Sequence, residues 1–392
     1  MGLSITEIRF DEYRGYSHLE LAGLGPLVVL VGPNAVGKTN IIEAIQLLTA
    51  GESFRKPSWD EVVSWDASSA AISARLEDKA EKRLIVHRMT AAGGKRSYEV
   101  NGKKRSAAAL RGTCPCVLFI PDHLQLVKAA SAQRRDAVDS LGVQLSKNYG
   151  ALKADYATAL RQRNLLVRDG IHAGPLFESW DESLAVHGAR LCVKRMRLFS
   201  RLAAHMERIY PQLVEGEELR CLYLPSWMRF DDEGHQRGDI PGLDGICQTE
   251  HLLELGVEQV QEIISQWSGL LALQELSRRT SLVGPHKDEL VFFINGRNAR
   301  LFASQGQQRT IVLAWKLAEV ELVREFAGTD PVLLLDDVMS ELDAARRSAL
   351  TSFIEGSTQA FITTTNLGYF SSELLEQAHV VELPIEGTRH SY

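Results

Sequence analysis

The sequence predicts an α/β core interrupted by a mainly helical insertion. Two observations carry that expectation. Strand and helix signals alternate at both ends of the 392-residue chain, and apolar residues recur at helical spacing through its middle. Hydrophobic residues make up 45% and charged residues 24%, a balance that supports a packed core and excludes wholesale disorder. At about 150 residues per domain, the length suits two or three units.

In chain order, Leu3, Ile5 and Ile8 approximate a strand pattern. Leu27–Val31 is a short apolar run ending in glycine, suited to a strand buried on both faces. Ile41, Ile42, Ile45 and Leu48 form a stripe that predicts a helix over 38–48. Strands are expected over 71–76, 84–89 and 98–100, the last leading into Asn101-Gly102, a type I′ hairpin signal. Another is expected over 117–120, closed by Pro121. Leu145, Tyr149, Leu152, Tyr156 and Leu160, then Leu191, Leu198, Leu202, Met206 and Ile209, keep helical spacing, so helix dominates 131–210. A loop rich in Asp, Gly and Pro follows over 226–245, then a helix over 252–267. β character returns at 282–284 and 290–294, with a second hairpin signal at Asn295-Gly296. The remainder reads as helix 307–326, strand 332–335, helix 344–354, and strands 360–363 and 380–383.

Composition narrows the function class. Five cysteines without repeated spacing do not make a disulfide scaffold, and Cys114 and Cys116 form a lone C-x-C with no second pair for zinc. They read as core or strand-edge thiols in a reducing compartment. The N-terminus is charged where a signal peptide is apolar, and no stretch approaches ~20 apolar residues, so a soluble, cytoplasmic protein without a membrane partner is expected. Net charge is −6, yet residues 128–208 hold 14 Lys and Arg against 8 Asp and Glu. Such asymmetry suits either a binding surface or a solvated helical face. Trp59, Trp65, Trp180 and Trp267 read as core or interface residues.

The sharpest motif is Gly32-Pro33-Asn34-Ala35-Val36-Gly37-Lys38-Thr39, placed between a buried strand and a helix start. It fits G-x-x-x-x-G-K-[ST]: backbone N–H groups cradle phosphates, Lys38 reaches the β/γ phosphates, and Thr39 offers a hydroxyl to Mg²⁺. Val332-Leu-Leu-Leu335 then ends in Asp336 and Asp337, at the sheet edge where α/β ligands bind. Asp336 is expected to hold the metal and Asp337 to polarise an attacking water. Ser304-Gln305-Gly306-Gln307 opens a long amphipathic helix, a geometry equally suited to anion binding and to a simple N-cap.

These segments, with Asn40, Arg161-Gln162-Arg163-Asn164, Leu282-Val-Gly-Pro-His-Lys-Asp288, Ser304–Thr310, Asp336–Asp343 and Phe361–Thr365, resemble the RecF family of bacterial DNA replication and repair proteins. More broadly they resemble the ABC-type ATPase heads of the SMC/Rad50 group. The resemblance covers nearly the whole chain. It implies a P-loop ABC-type head in two lobes: lobe I from 1–130 and 281–392, and a helical lobe II from 131–280. It also implies an ATP- and Mg²⁺-dependent homodimer in which Ser304, Gln305 and Gly306 of one subunit meet the γ-phosphate held by Lys38 of the other. Ser340-Glu-Leu-Asp343 matches the loop along that interface, Thr364 or Thr365 a γ-phosphate switch, and Gln125 a metal-contacting glutamine. The implied activity is a slow, DNA-stimulated ATPase in repair of gaps and in the SOS response. It would bind single-strand/double-strand junctions and load RecA together with RecO and RecR.

Candidate DNA contacts are Arg134, Arg135, Arg161, Arg163, Lys194, Arg195 and Arg197, since Lys and Arg neutralise phosphates without reading sequence. Lys194, Arg195 and Arg197 cannot share one helical face, because neighbours lie ~100° apart. An SMC- or Rad50-like ATPase of another DNA-processing complex ranks second, but it needs long heptad insertions that 145–270 lacks. A small-molecule kinase would leave Ser304–Arg309 unexplained. An ATPase fused to a nuclease leaves no chain for the nuclease.

Overall fold

The computed structural model describes residues 3–78, 82–90, 94–110, 114–231, 233–236, 250–355 and 359–385. The chain divides into two compact units, Met1–His123 with Glu319–Tyr392, and Leu124–Ala318.

The first unit holds two sheets. β1 (Ser4–Tyr13), β2 (Tyr16–Ala22), β4 (Ser69–Glu77), β5 (Lys82–Thr90), β6 (Arg96–Val100) and β7 (Lys103–Arg105) form an antiparallel sheet in the order β2-β1-β4-β5-β6-β7. A parallel sheet combines β3 (Leu27–Val31), β8 (Cys116–Phe119), β12 (Val332–Asp336), β13 (Ala360–Thr364) and β14 (His379–Glu382) in the order β14-β3-β13-β12-β8. Every residue of β8, β12 and β13 is buried, the pattern of strands covered on both faces. α1 (Lys38–Ala50) touches strands of both sheets. Hence Ile41, Ile42, Ala44, Ile45, Leu47 and Leu48 are all buried, a wider apolar surface than the single stripe expected. α2 (Ala107–Leu110), α10 (Ala344–Ile354) and α11 (Ser372–Gln377) complete this unit.

The second unit begins with α3 (Ser131–Leu145), α4 (Tyr149–Arg168) and α5 (Pro175–Leu213). α5 starts on a proline, whose missing N–H costs nothing in a first turn. Leu191, Leu198, Leu202, Met206 and Ile209 line its buried side, as their spacing predicts. β9 (Leu219–Leu224), α6 (Val257–Leu270), α7 (Ala272–Arg278), β10 (Glu289–Ile294), β11 (Arg297–Asn298) and α8 (Ala299–Phe302) follow, with β11-β10-β9 as a small antiparallel sheet. α9 (Gln305–Ala327) starts in this unit and ends in the first. Residues 281–318, expected in lobe I, cluster with the second unit, where β10 pairs with β9 along its whole length.

Both hairpin signals hold: Asn101, Gly102, Asn295 and Gly296 all have positive φ. Three expectations need correcting. Residues 282–284 are a buried turn rather than a strand, for Leu282 N–H donates to the Glu275 carboxylate and Gly284 has φ 127°. Trp65 is 90% exposed, which removes the core alternative and leaves the interface one. The helix expected over 252–267 is a 3-10 turn, Glu250–Glu254, followed by α6. Cys114, Cys116, Cys192 and Cys221 are buried free thiols, and the fifth cysteine lies outside the described residues. Among the described residues no helix is long and apolar enough to cross a membrane.

Candidate nucleotide-binding site

β3 stops at Val31 and the chain turns through Gly32–Gly37 into α1. Both framing glycines are required by close approach. A Cβ on Gly32 would lie 2.5 Å from Leu383 O, and one on Gly37, at φ 101°, 2.6 Å from the Tyr16 hydroxyl. Tyr16 donates to Val36 O at 3.3 Å and so pins the loop from the neighbouring sheet. Pro33, Asn34 and Ala35 form the exposed tip, with Ala35 left-handed at φ 64°. The Lys38 ammonium folds back onto Gly32 O and Pro33 O, 2.7 Å from each. Burial lowers its pKa, opposed in part by Asp337 and Asp336. In the second turn of α1, Glu43 is fully buried, held bidentately by Arg14 at 2.8 and 3.1 Å and touched by Arg55 at 3.3 Å. Arg55 also donates to the Asn40 side chain at 2.8 Å.

The two acids arrive at the end of β12, Asp336 as its last residue and Asp337 just after it, next to β13 in the sheet. Asp336 Oδ1 accepts from Thr39 Oγ1 at 3.0 Å and from Thr363 Oγ1 at 2.7 Å, while Asp337 N–H donates to Thr363 Oγ1 at 2.8 Å. One hydroxyl therefore fixes both acids. Asp337 sits at φ 52°, and its buried Oδ1 has no hydrogen-bond partner. Burial pushes its carboxyl pKa up, Asp336 and Glu341 add to this, and Lys38 opposes it. Ser340 Oγ donates to Asp337 O at 2.8 Å, and Asp343 caps α10 through Arg346 N–H at 2.9 Å. Thr364 bonds to the Asn366 backbone and Thr365 is exposed, so the threonine joined to the acids is Thr363.

In the second unit, Ser304 and Gln307 form a reciprocal capping box at the start of α9. Gln307 N–H donates to Ser304 Oγ at 3.2 Å, and Ser304 N–H to Gln307 Oε1 at 2.8 Å. Ser304 and Gln305 are exposed and Gly306 half-buried. The Ser304 hydroxyl accepts as a cap and keeps its own proton to donate. The Gln307 side chain, by contrast, is committed, since its Nε2 also donates to Glu217 at 2.8 Å. Gln125 is exposed at the end of the 3-10 turn Pro121–Gln125.

The seven candidate DNA cations separate by burial. Arg134 (2% exposed) donates to three backbone carbonyls and pairs with Glu289 at 2.6 Å. Arg163 (1%) pairs with Asp181 and Glu275, each at 2.7 Å. Arg195 (3%) pairs with Asp139 at 2.8 Å and donates to Pro285 O at 2.6 Å. These three hold the unit together and do not face solvent, which corrects their expected role. Arg135 is half-buried and donates to Asp288 O at 2.7 Å, while Arg161, Lys194 and Arg197 are exposed. The sequence assigns no role to Tyr16, to Thr363 within Phe361–Thr365 or to the Arg14–Glu43 pair, because no local spacing links them to the loop.

The residues fit a magnesium nucleotide. A hydroxyl and a carboxylate lie side by side as hard oxygen donors, a lysine rests on carbonyls where phosphates would draw it, and the Asp337 oxygen awaits a partner. Fold and site together define an ABC-type P-loop ATPase head. The RecF/RecN/SMC N terminal domain profile matches residues 4–382. A DNA replication and repair protein RecF from Moorella thermoacetica is 35% identical, covering 97% of this chain and 95% of that one. One from Heliobacterium modesticaldum is 34% identical, covering 97% of each. A solved structure of the recombination mediator protein RecF with ATP has a TM-score of 0.79 at 29% identity, covering 94% of each chain. The chain belongs to the RecF family. An Smc head bound to a winged-helix domain of ScpA shares the fold, with a TM-score of 0.53 at 13% identity.

Proposed function

We propose that the protein is an ATP-gated DNA clamp in recombinational gap repair and replication restart. The observation that carries this reading is the cluster Lys38, Thr39, Asp336, Thr363 and Asp337, drawn together from the start of α1 and the ends of two neighbouring strands, β12 and β13. Gly32, Pro33, Asn34, Ala35, Val36, Gly37 and Asn40 complete the phosphate loop. Lys38 would leave the loop carbonyls for the β/γ phosphates, and Thr39 with Asp336 would hold the metal. Bound Mg²⁺ supplies charge neutralisation on the triphosphate. Asp337, with its carboxyl pKa raised, suits acceptance of a proton from an attacking water. Hydrolysis in this scheme is a slow, DNA-stimulated timer.

Ser304, Gln305 and Gly306 of one copy would complete the site of a second, so nucleotide state sets the dimer population. In lobe terms, 1–130 with 281–392 would form lobe I and 131–280 lobe II, with 281–318 joining lobe I in role while clustering with the second unit. Relatives are named for DNA replication and repair, and a solved neighbour is described as a mediator in the RecFOR pathway. Those names support the reading, in which the DNA target is a single-strand/double-strand junction and RecR and RecO are partners in loading RecA in the cytoplasm. Arg161, Lys194 and Arg197 remain exposed candidates for phosphate contact. An engine of another SMC-type complex is less favoured, for the longest described helix has 39 residues.

The test is nucleotide binding and gapped-DNA binding side by side. Lys38→Ala is expected to lose ATP binding and with it the ATP dependence of DNA affinity. ATP-stimulated DNA binding by Lys38→Ala at the parent level would overturn the reading.

A further inference from the structure

The motif Leu282-Val-Gly-Pro-His-Lys-Asp288 lies in the second unit and is tied down by a set of buried polar contacts. Asp288 is fully buried and accepts from Ser226 N–H at 2.7 Å, from the Tyr223 hydroxyl and from Cys192 Sγ at 3.5 Å. Gly284 N–H donates to Ser226 Oγ at 2.8 Å, and a Cβ there would lie 2.6 Å from the Tyr156 hydroxyl. His286 is held as the Nε2–H tautomer, donating to Ser281 O at 3.1 Å and accepting from Tyr156 at 2.6 Å. A loop built on this many buried polar contacts is rigid.

Three segments tied to that loop each carry an arginine. Arg135 on α3 donates to Asp288 O at 2.7 Å. Arg229 closes the 3-10 turn that begins at Ser226, the residue bonded to both Gly284 and Asp288. Arg278 ends α7, whose Glu275 accepts Leu282 N–H at 2.7 Å. Lys287 sits among them, and after burial it is these three arginines that lower its pKa most. Among the described residues Lys287, Arg229 and Arg278 make no ion pair. The nearby acids are matched elsewhere: Glu275 by Arg163 at 2.7 Å and Glu289 by Arg134 at 2.6 Å. Like charges are thus held together on a rigid frame, their acidic neighbours Glu275, Asp288 and Glu289 bonded to other side chains, with Arg278 exposed and the other three half-buried.

We infer that Arg135, Arg229, Arg278 and Lys287 form a docking cluster for the phosphodiester backbone of DNA. Three of the four are arginines, whose planar forks match phosphate oxygens, and a backbone carrying one charge per phosphate can engage several at once. The inference rests on the DNA-binding reading above and adds a surface to it.

The experiment is anisotropy of labelled gapped duplex over a series of NaCl concentrations with Mg-ATP. The double variant Arg229→Ala/Arg278→Ala should bind more weakly, with the slope of log K against log salt shallower by about 2, at roughly 0.9 per phosphate lost. Lys287→Gln should lose about 1, and Lys287→Arg should restore it. Melting temperatures close to the parent's are expected, since neither alanine removes an internal bond among the described residues. Unchanged slopes in a parent-like fold would overturn the cluster. Loss of binding to an Asp/Glu-rich peptide with unchanged DNA slopes would also overturn it, in favour of an acidic protein partner. A parent that binds no DNA at all would instead remove the function proposed above.

Discussion

At the scale of single residues, Thr363 joins the two acids: its hydroxyl donates to Asp336 and accepts from the Asp337 N–H. Valine has the same shape but leaves that buried amide unpaired, a cost of about 1–3 kcal/mol. Thr363→Val is therefore expected to slow single-turnover ATP hydrolysis about tenfold or more, with a smaller effect on ATP affinity. Parent-level hydrolysis would show that the hydroxyl merely packs. His87 makes a different prediction. It is fully buried, stacks on Tyr98 with centroids 4.0 Å apart, and has no partner for either ring nitrogen. Burial, aided by Arg96, depresses its pKa from 6.5 to about 3. The unfolded chain thus binds the extra proton between those values, so His87 favours the fold fully above about pH 6.5 and ever less as pH falls towards 3. His286, half-buried and also depressed to about 3, acts in the same direction. Urea melts from pH 7.5 to 5 should show the decline. His87→Phe should flatten it by up to about 1.4 kcal/mol per pH unit. An identical pH profile would contradict the depressed pKa.

At the scale of elements, α3 and α5 are joined through Asp139 and Arg195. Asp139 accepts both Arg195 Nε and NH2, at 2.8 and 3.1 Å, together with the Tyr149 hydroxyl at 2.7 Å. Removing one partner strands a buried charge, so Asp139→Ala should cost about 3–5 kcal/mol in urea unfolding. A loss below about 1 kcal/mol would mean that water reaches Arg195. Gly37→Ala would force Tyr16 away from Val36, and ATP affinity should fall even though Lys38 is intact. Elements with local causes were legible in the sequence. The phosphate loop needs its glycines, lysine and hydroxyl within one turn. β12 and β13 are apolar runs, and both Asn-Gly turns require positive φ. Contacts set by sheet order were not. Thr363 meets Asp336 because β13 lies beside β12, and Tyr16 meets Val36 across two sheets; no spacing encodes either. Charge counting likewise marked 128–208 as basic without showing that Arg134, Arg163 and Arg195 are turned inward.

At the scale of the whole molecule, the two units hold the two halves of the proposed site. The phosphate loop and paired acids lie in the unit built from both chain ends, and Ser304–Gly306 lie in Leu124–Ala318. Under the proposed function a second copy would complete the site, and the triphosphate would bond the subunits. The most direct test of that claim is sedimentation velocity with Mg-ATP, with Mg-ADP and without nucleotide, each with and without gapped duplex. The account predicts a dimer with ATP alone, strengthened by DNA and lost in Ser304→Arg. A monomer under every condition, or an equal dimer with ADP, would contradict it.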